Sequence, residues 1–447
     1  MQWNVQDDPR AVGAVRPAGP EPAAAEPVDG QPLDRVVAVL GLGYVGLPTA
    51  LGLRDSGTEI IGVDTSRPRL DAIRRGEADL LGSDQRRLGR ALLDGGVRLT
   101  ADPALLPSAD AVLICVPTPV DRQLAPDLTA LRTACTTVVE LARPGQLIVL
   151  TSTTLVGSTR SLLVEPLLAR GLVTGQDVHV AFSPERIDPG RPEHPPRHTP
   201  RVVGGVTAAC TQRAHRLLSR LTDAGVHAVR SPELAELVKL HENAFRAVNL
   251  ALANELAEAS RAFGLDPVEV IDAAATKPYG YLAHLPGPGV GGHCIPCDPH
   301  YLLWQLRERQ VAAPVTEQAM AAIAARPARV AARVLETLAG LGRPVAGARV
   351  VVVGVTYKPG VTDLRSSPAL EIIARLRAAG AAVRYWDPLV PVLPGGEPSL
   401  TDPHGADYDL VLVHTLQPGG GHEWIRWCPA VLDASYRYLD APHREVV

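Results

Sequence analysis

A cysteine at the end of a glycine-rich segment is the residue of this sequence best suited to covalent chemistry. Residues 287–299 read GPGVGGHCIPCDP, so Cys294 closes a run of glycines and Asp298 follows four residues later. Because glycine has no Cβ, such a segment lets main chain lie against a ligand. A cysteine placed there can attack a carbonyl carbon. We therefore predict that Cys294 is a nucleophile.

Three alternative roles for Cys294 stay open. It could be a structural cysteine, although crowded glycines are a poor setting for a packed core. It could form a CxxC redox pair with Cys297, which would require a helix to start here; Pro299 and the glycines argue against one. Zinc could be bound by His293, Cys294, Cys297 and His300, but structural zinc normally takes ligands from two separated pairs, and the sequence shows no second pair. We favour the nucleophile and expect no metal.

Lysine is rare in this chain, which makes its positions informative. Of the 44 basic residues only Lys239, Lys277 and Lys358 are lysines. Lys239 and Asn243 are four residues apart on a predicted helix and therefore lie on one face. An ammonium and an amide can donate hydrogen bonds to an oxygen that gains negative charge. A solvent-exposed helix edge is the alternative for this pair.

Polar or charged side chains follow four of the predicted strands at their carboxyl ends. Ligands of open parallel sheets bind at those ends, so we treat these side chains as candidate site residues. The segments with Thr118 and Thr153 could each also be an ordinary polar turn. They are Thr118, Thr153, Glu185, Arg186, Lys358 and Arg365.

A glycine pattern near the start of the chain predicts nucleotide binding. Gly41-Leu42-Gly43-Tyr44-Val45-Gly46 directly follows the apolar run 36–40, and Asp64 closes the next strand about 20 residues on. These glycines permit a tight turn, close approach of a pyrophosphate and close helix packing, and the next helix offers its amides to the phosphates. A carboxylate at Asp64 accepts ribose hydroxyls and favours NAD over NADP, although Arg67 and Arg69 nearby oppose that preference. The predicted NAD-binding residues here are Gly41, Gly43, Tyr44, Val45, Gly46 and Asp64.

Two sets of apolar runs, each alternating with helix-like segments, must position these residues. Continuous β-branched runs indicate parallel strands that are buried on both faces. The first set is 36–40, 60–63, 111–114, 147–150 and 178–182, and the second is 350–353, 382–385 and 410–413.

Between the two sets, a helix of about 30 residues is predicted from Ser231-Pro232-Glu233 to just before Gly264. A further helical region should extend to Gly340 and break at Pro327. The predicted fold class is α/β, with two Rossmann-like domains that have parallel sheets and are joined by a long central helix. The predicted divisions are a disordered tail (1–34), an NAD-binding Rossmann domain (35–225), a central helical spine with the cysteine loop (226–328) and a C-terminal Rossmann-like domain (329–447).

Composition supports an ordinary globular protein and excludes several other classes. The net charge of −4 gives no sign of a polybasic surface that would bind nucleic acid, and no apolar run approaches the roughly 18 residues of a membrane span. Six cysteines in 447 residues are too sparse for a disulfide scaffold and are typical of reduced thiols. We expect a cytoplasmic protein that binds neither nucleic acid nor a membrane.

Taken together and in this order, the motifs resemble those of the nucleotide-sugar 6-dehydrogenases, the family of UDP-glucose, UDP-N-acetylhexosamine and GDP-mannose dehydrogenases. The resemblance extends from about residue 35 to the C-terminus. The SPERxxPG form at 183–190 and TKPYG before the glycine loop resemble the UDP-N-acetylhexosamine branch more than the glucose branch. The matching segments are GLGYVG at 41–46, Asp64, VPTP at 116–119, STT at 152–154, SPER at 183–186, AELVKLHENAF at 235–245, GPGVGGHCIPCDP at 287–299 and YKPGVTDLRSSP at 357–368.

The resemblance implies an NAD-dependent, four-electron oxidation of the C6 alcohol of a nucleotide sugar to a carboxylate. In that chemistry Cys294 forms a thiohemiacetal and then a thioester, which water hydrolyses. A predicted helix of about 30 residues is long for a domain interior and suits a dimer contact, so we also expect a homodimer through the central helix. The catalytic residues are then Cys294, Lys239, Asn243, Asp298, Glu185 and Thr118. The cofactor contacts are those of the glycine pattern together with Thr118, Thr153 and Arg365, and the substrate contacts are Glu185, Arg186, Lys239, Asn243, Gly289, Gly291, Gly292 and Lys358, with the last domain binding the nucleotide sugar.

Several positions depart from the family pattern. Thr151 replaces a glutamate, Cys297 replaces valine, and Ile323 and Arg326 stand where asparagine and methionine are common. Residues 433–436 lack the arginine that usually follows the final strand, for which Arg437 could substitute. A UDP-glucose or dTDP-glucose dehydrogenase, a two-electron NAD dehydrogenase and a non-catalytic nucleotide-sugar sensor remain the alternatives.

Overall fold

The computed structural model describes residues 34–78, 80, 82–186, 196–404, 407–438, 440 and 444–447. The predicted disordered tail, 1–34, lies outside the described residues except for Asp34. That aspartate is buried, and its carboxylate forms an ion pair with Arg213 at 2.6 Å. The described residues form two compact units, and the chain passes between them at three points, of which two fall inside helices and one between helices.

The first unit contains the described residues up to Asn243 together with Cys297–Ala312. Its described strands form one sheet in the order β3-β2-β1-β4-β5-β6-β7-β8. The strands are β1 (Val36–Leu40), β2 (Glu59–Val63), β3 (Val97–Thr100), β4 (Ala111–Ile114), β5 (Leu147–Leu150), β6 (His179–Phe182), β7 (Arg201–Gly205) and β8 (Val226–Val229). The helices are α1 (Gly46–Asp55), α2 (Arg67–Arg74), α3 (Gly82–Leu93), α4 (Thr129–Leu141), α5 (Glu165–Ala169) and α6 (Ala208–Leu218), with α7 (Pro232–Ala262) beginning in this unit.

Strand β1 shows why the sheet forms where the sequence predicts it. Its alternate residues enter two different cores, Val37 and Val39 on one face and Ala38 and Leu40 on the other. A strand buried on both faces must be apolar throughout, as this one is. All neighbouring pairs in the sheet are parallel except β6 and β7, which are antiparallel.

The second unit contains Ala244–Pro296 and Ala313–Val447. Its described strands form an entirely parallel sheet in the order β10-β9-β11-β12-β13. The strands are β9 (Arg349–Val353), β10 (Ala382–Trp386), β11 (Leu410–Val413), β12 (Val431–Asp433) and β13 (Arg444–Val446). The helices after α7 are α8 (Pro267–Ala275), α9 (Cys294–Glu308), α10 (Pro314–Gly340) and α11 (Pro368–Ala378).

These observations confirm the predicted fold class, including the long helix α7, which has 31 residues. The amide N–H of Leu234 donates to Ser231 Oγ at 3.3 Å, so Ser231 caps the helix as predicted. The predicted boundaries at 225/226 and 328/329 stay predictions. Within the described residues, no helix is both long and apolar enough to cross a membrane.

The predicted break at Pro327 is wrong. Helix α10 runs from Pro314 to Gly340 without interruption. A proline inside a helix costs about 3 kcal/mol because it removes a hydrogen bond and crowds the preceding turn. The buried side chains of Val330, Val334 and Leu338 offset that cost, since each contributes about 1.5–3 kcal/mol when it leaves water.

Candidate active site

The glycine pattern after β1 forms a tight turn in which two glycines are required by packing. Gly41 has φ +85°, and a Cβ at this residue would lie 2.6 Å from the carbonyl oxygen of Cys115. A Cβ at Gly46 would lie 1.8 Å from the carbonyl oxygen of Gly41. Any side chain at either position would therefore force the turn away from its neighbours.

The middle glycine faces open space, which fits a bound dinucleotide. A Cβ at Gly43 would meet no described atom within 4 Å, so a pyrophosphate can approach the main chain there. Asp64 is held beside the turn because its Oδ2 accepts the N–H of Leu42 at 2.8 Å. Tyr44 is exposed and Val45 packs against the core at the start of α1. This arrangement has the parts that NAD binding requires.

The polar turns after β4 and β5 are tied together in the first unit. Ser152 Oγ donates to the carbonyl oxygen of Val116 at 2.8 Å. The hydroxyl of Tyr301 donates to the carbonyl oxygen of Thr118 at 3.0 Å, and Thr118 itself is buried. Thr153 Oγ1 lies 3.5 Å from Asp298 Oδ2. The structure therefore brings Thr153 to a predicted catalytic carboxylate.

Asp298 is a buried carboxylate with an unusual environment. Its Oδ2 accepts a hydrogen bond from Asn243 Nδ2 at 2.5 Å, and its Oδ1 is buried without a hydrogen bond from any described residue. Burial raises the pKa of Asp298 to about 6, although the charge of Lys239 and the hydrogen bonds from Asn243 and Thr153 favour the ionised form. A carboxyl group with such a pKa can both accept and release a proton near neutral pH.

We expect Asp298→Asn to stabilise the protein at pH 8 but not at pH 3. The folded pKa lies above the usual 3.8, so between these values the folded state holds a proton that the unfolded chain has lost. Stability therefore falls as the pH rises through this window. The asparagine removes this penalty, which is on the order of 2–3 kcal/mol. Urea unfolding at both pH values measures it. A variant that loses equal stability at both pH values contradicts this prediction.

Lys239, Glu185 and Arg186 come together at the end of β6. Lys239 Nζ donates to the carbonyl oxygen of Glu185 at 2.9 Å. The Glu185 side chain is buried, and its Oε2 accepts Arg201 Nη1 at 3.2 Å. The Arg186 guanidinium forms an ion pair with Glu242 on α7. The ammonium of Lys239 is thus held by a main-chain carbonyl. This contact excludes the alternative in which Lys239 only lies on a solvent-exposed helix edge.

The glycine-rich loop, defined here as residues 287–292, is shaped by its packing in the second unit. A Cβ at Gly291 would lie 2.5 Å from Tyr357 Cβ, and one at Gly289 would lie 2.8 Å from Pro368 Cγ. Gly292 has φ +80°, and its N–H donates to the carbonyl oxygen of Arg365 at 2.9 Å. Three of the glycines therefore allow this loop to contact the segment 357–368.

That partner segment contains the other two predicted ligand-binding cations. Lys358 follows β9, where its carbonyl oxygen accepts Thr356 Oγ1 at 2.9 Å. Arg365 is exposed, and its guanidinium forms a bidentate ion pair with Asp363, with Nε 3.0 Å from Oδ1 and Nη2 2.6 Å from Oδ2. The structure thus places Arg365 beside the glycine-rich loop, whereas its predicted contact with NAD stays a prediction.

Cys294 is an exposed thiol at the first residue of α9. The argument that no helix starts here is wrong, because α9 begins at Cys294 and continues through Pro299. A CxxC pair with Cys297 is therefore not excluded on that ground. Neither cysteine is in a disulfide. His293, Cys294, Cys297 and His300 do not form a group that could hold a metal ion, and no other such group occurs in the described part of the chain.

Sequence reasoning missed the residues that fix the predicted ones. Arg201 and Tyr301 are buried beside Glu185 and Thr118, and no spacing rule distinguishes them from other strand and helix residues. Arg326, which stands where the family commonly has methionine, also supports the structure. Its guanidinium lies 3.1 Å from the hydroxyl of Tyr436, in the segment that lacks the usual arginine. Arg437, the predicted substitute, is exposed.

Comparison with known proteins places these features in one family. Residues 35–222, 233–322 and 351–418 match the NAD binding, central and UDP binding domains of the UDP-glucose/GDP-mannose dehydrogenase family. The chain is 36% identical over 361 residues to UDP-N-acetyl-D-mannosamine dehydrogenase of Pyrococcus horikoshii, which covers 79% of this chain and 84% of the relative. It is 36% identical over 369 residues to NDP-N-acetyl-D-galactosaminuronic acid dehydrogenase of Ralstonia nicotianae, covering 80% and 84%. The solved structure of the Pyrococcus horikoshii UDP-D-ManNAc dehydrogenase has a TM-score of 0.83 and 31% identity, covering 92% of this chain and 98% of that one.

Proposed function

The chain belongs to the UDP-glucose/GDP-mannose dehydrogenase family of NAD-dependent nucleotide-sugar oxidoreductases, and on that premise we propose that it oxidises the C6 alcohol of a UDP-N-acetylhexosamine to a carboxylate. The observation that carries the proposal is the exposed Cys294 thiol, which is separated from the glycine-rich loop only by His293. A dehydrogenase that stopped at the aldehyde would need no nucleophile. A cysteine that holds the aldehyde covalently allows a second oxidation before release.

Bound NAD supplies the hydride acceptor for each of the two oxidations. In the proposed sequence Cys294 Sγ adds to the aldehyde carbon and forms a thiohemiacetal. Loss of a second hydride leaves a thioester at Sγ, and water then releases the carboxylate and restores the thiol. Overall, one alcohol, two NAD⁺ and one water give one carboxylate, two NADH and three protons.

Polar side chains that are buried or half-buried control the reacting oxygen and the protons in this proposal. Lys239 and Asn243 donate hydrogen bonds to the reacting oxygen as it gains negative charge. Asp298, whose pKa lies near 6, accepts and returns protons, and its hydrogen bond to Asn243 fixes that amide. Glu185 and Thr118 act on the hydrolytic water, with Glu185 as the base. The hydrogen bond that Arg201 Nη1 donates to Glu185 Oε2 fixes the direction of this carboxylate.

The proposed ligand contacts complete the site. NAD is assigned to the turn at Gly41, Gly43, Tyr44, Val45 and Gly46, with Asp64, Thr118, Thr153 and Arg365. The nucleotide sugar is assigned to Gly289, Gly291, Gly292, Lys358, Glu185, Arg186, Lys239 and Asn243. The support is the open space at Gly43 and the contact of the glycine-rich loop with the segment that carries Lys358 and Arg365.

The choice of sugar rests on the names of the relatives, which act on N-acetylhexosamine derivatives. NADH formation with UDP-GlcNAc, UDP-ManNAc, UDP-glucose, GDP-mannose and dTDP-glucose tests it. The highest kcat/KM is expected for a UDP-N-acetylhexosamine. A preference for UDP-glucose or dTDP-glucose overturns the sugar but leaves the chemistry intact, and no NADH with any of the five favours a sensor.

A homodimer through α7 is part of the proposal. Phe245 and Leu252 on α7 are 45% and 60% exposed and lie seven residues apart on one face, and Phe263 directly after the helix is 78% exposed. Exposed apolar side chains in such a row are typical of a protein contact. Sedimentation velocity is expected to give a dimer, and Phe245→Glu is expected to weaken it. The cysteines, none of which is in a disulfide, fit a cytoplasmic location.

A further inference from the structure

Arg326 on α10 is a buried cation whose guanidinium contacts three separate segments of the second unit. Its side chain is 1% exposed. Nε donates to the carbonyl oxygen of Gly287 at 3.0 Å, Nη1 to Glu258 Oε1 at 2.6 Å and Nη2 to the Tyr436 hydroxyl at 3.1 Å. A planar guanidinium can serve three acceptors in fixed directions, which a single ammonium cannot do with the same geometry.

The contact with Gly287 fixes the first residue of the glycine-rich loop. Both main-chain polar groups of Gly287 are bound, because its N–H also donates to Asn254 Oδ1 at 3.0 Å and Asn254 is buried on α7. No described atom would lie within 4 Å of a Cβ at Gly287, so this end of the loop is held by hydrogen bonds rather than by close packing.

The other end of the loop is held independently. The N–H of Gly292 donates to the carbonyl oxygen of Arg365, and a Cβ at Gly291 would collide with Tyr357. Glycine residues lose more conformational freedom than any others when they are ordered. A loop that contains four glycines in six residues would be mobile if one of its ends were released.

The hydrogen bond from Arg326 to Tyr436 connects the Gly287 end of the loop to the sheet. Tyr436 follows β12 in the left-handed region, with φ +57°, and its hydroxyl donates to the carbonyl oxygen of Val447. Glu258 supplies the negative charge that a buried arginine needs, and it also pairs with Arg261. Arg326 therefore connects α7, the glycine-rich loop and the end of β12.

We infer that Arg326 is a positioning residue that, together with Asn254, holds the glycine-rich loop in the conformation that receives the nucleotide sugar. This inference rests on the proposed function, in which that loop binds the substrate and Cys294 follows it. We call the two hydrogen bonds of Gly287, with Arg326 and with Asn254, the Gly287 clamp. Without this clamp, the nucleotide sugar would have to order the loop when it binds, and the cost of that ordering would weaken its affinity. The NAD-binding turn belongs to the other unit, and the Arg365 guanidinium, which is also assigned to NAD, is held by Asp363. Affinity for NAD should therefore not change.

Arg326→Lys in the full-length protein tests the inference because it keeps the positive charge opposite Glu258 but removes the planar guanidinium that reaches Gly287 and Tyr436. We expect the KM for the nucleotide sugar to rise by about 10-fold to 100-fold, the range expected for a lost hydrogen bond to a charged group, while the KM for NAD stays unchanged. Hydrogen exchange at the amides of 287–292 should become faster. Asn254→Ala, which releases the other side of Gly287, should give the same pattern.

Glu258→Gln is the matched control. It removes the charge but keeps an amide oxygen that can accept the hydrogen bond from Arg326 Nη1. The unfolding temperature should therefore fall, while Arg326 still binds Gly287 and the sugar KM stays close to that of the wild type. If Arg326→Lys does not fold, Asn254→Ala alone decides the outcome. An unchanged sugar KM, a parallel rise in both KM values, or unchanged exchange at 287–292 overturns the inference. If the wild type oxidises no nucleotide sugar, the proposed function is overturned instead. Hydrogen exchange at 287–292 still shows whether Arg326 and Asn254 hold the loop.

Discussion

Cys294→Ser is expected to lower the rate of carboxylate formation by at least about a thousand-fold, as removal of a catalytic nucleophile does in other enzymes. A serine hydroxyl is a much weaker nucleophile than a thiol at neutral pH, so the aldehyde would not be trapped for its second oxidation. Because the Cys294 side chain is exposed, we expect the folded structure and the unfolding temperature to be preserved. Circular dichroism melting and a discontinuous assay of the uronic acid measure both quantities.

Cys297→Ser provides the matched control in the same helical turn. Cys297 is buried in the structure and has no part in the proposed chemistry, so its variant should retain activity and show at most a lower unfolding temperature. Iodoacetamide should inactivate the wild type and Cys297→Ser but not modify Cys294→Ser at this site, and a bound UDP-sugar should slow inactivation. Full activity in Cys294→Ser would contradict the assignment of Cys294 as the nucleophile.

Lys239→Arg is expected to reduce kcat by about 10²- to 10³-fold although the positive charge is kept. The Lys239 ammonium is fixed by its hydrogen bond to the Glu185 carbonyl oxygen. A guanidinium is larger and planar, so it cannot place a donor at the same point. Removal of one donor to a developing oxyanion has an effect of this size in other enzymes.

His241→Gln serves as the control for this substitution, because His241 is exposed on the same helix and is assigned no role. Steady-state kinetics should show a near-normal kcat for His241→Gln and a large loss for Lys239→Arg, with little change in NAD affinity. A normal kcat in Lys239→Arg would assign Lys239 to structure alone.

Much of the fold could be predicted because the relevant signals are local. The apolar strand β1, the glycines at 41 and 46 and the N-cap at Ser231 each follow from the immediate sequence, and the structure contains all three. The uninterrupted courses of α9 and α10 through Pro299 and Pro327 could not be predicted in this way. Whether a proline breaks a helix depends on how much apolar surface the continued helix buries, and that depends on tertiary structure.

Motifs in the sequence identify the candidate site residues, whereas nothing in the sequence identifies the residues that hold them in place. Asn243 and Asp298 are 55 positions apart and share a hydrogen bond, and the motifs identify both without showing the contact. Arg201 and Arg326 are single arginines in a chain rich in arginine, so nothing in their spacing indicates that they are buried. From the sequence, the glycines of the glycine-rich loop are explained by the close approach of a ligand. The structure shows a second reason for them, because a Cβ at these positions would collide with Tyr357 or Pro368.

The ratio of NADH formed to nucleotide sugar consumed tests the central claim most directly, because only a trapped aldehyde is oxidised twice by one enzyme. A limiting amount of the best sugar substrate is converted to completion, NADH is counted by absorbance and the sugar products are identified by mass spectrometry. We predict two NADH for each sugar, with the uronic acid as the product. One NADH for each sugar, with the free aldehyde released, would contradict the account.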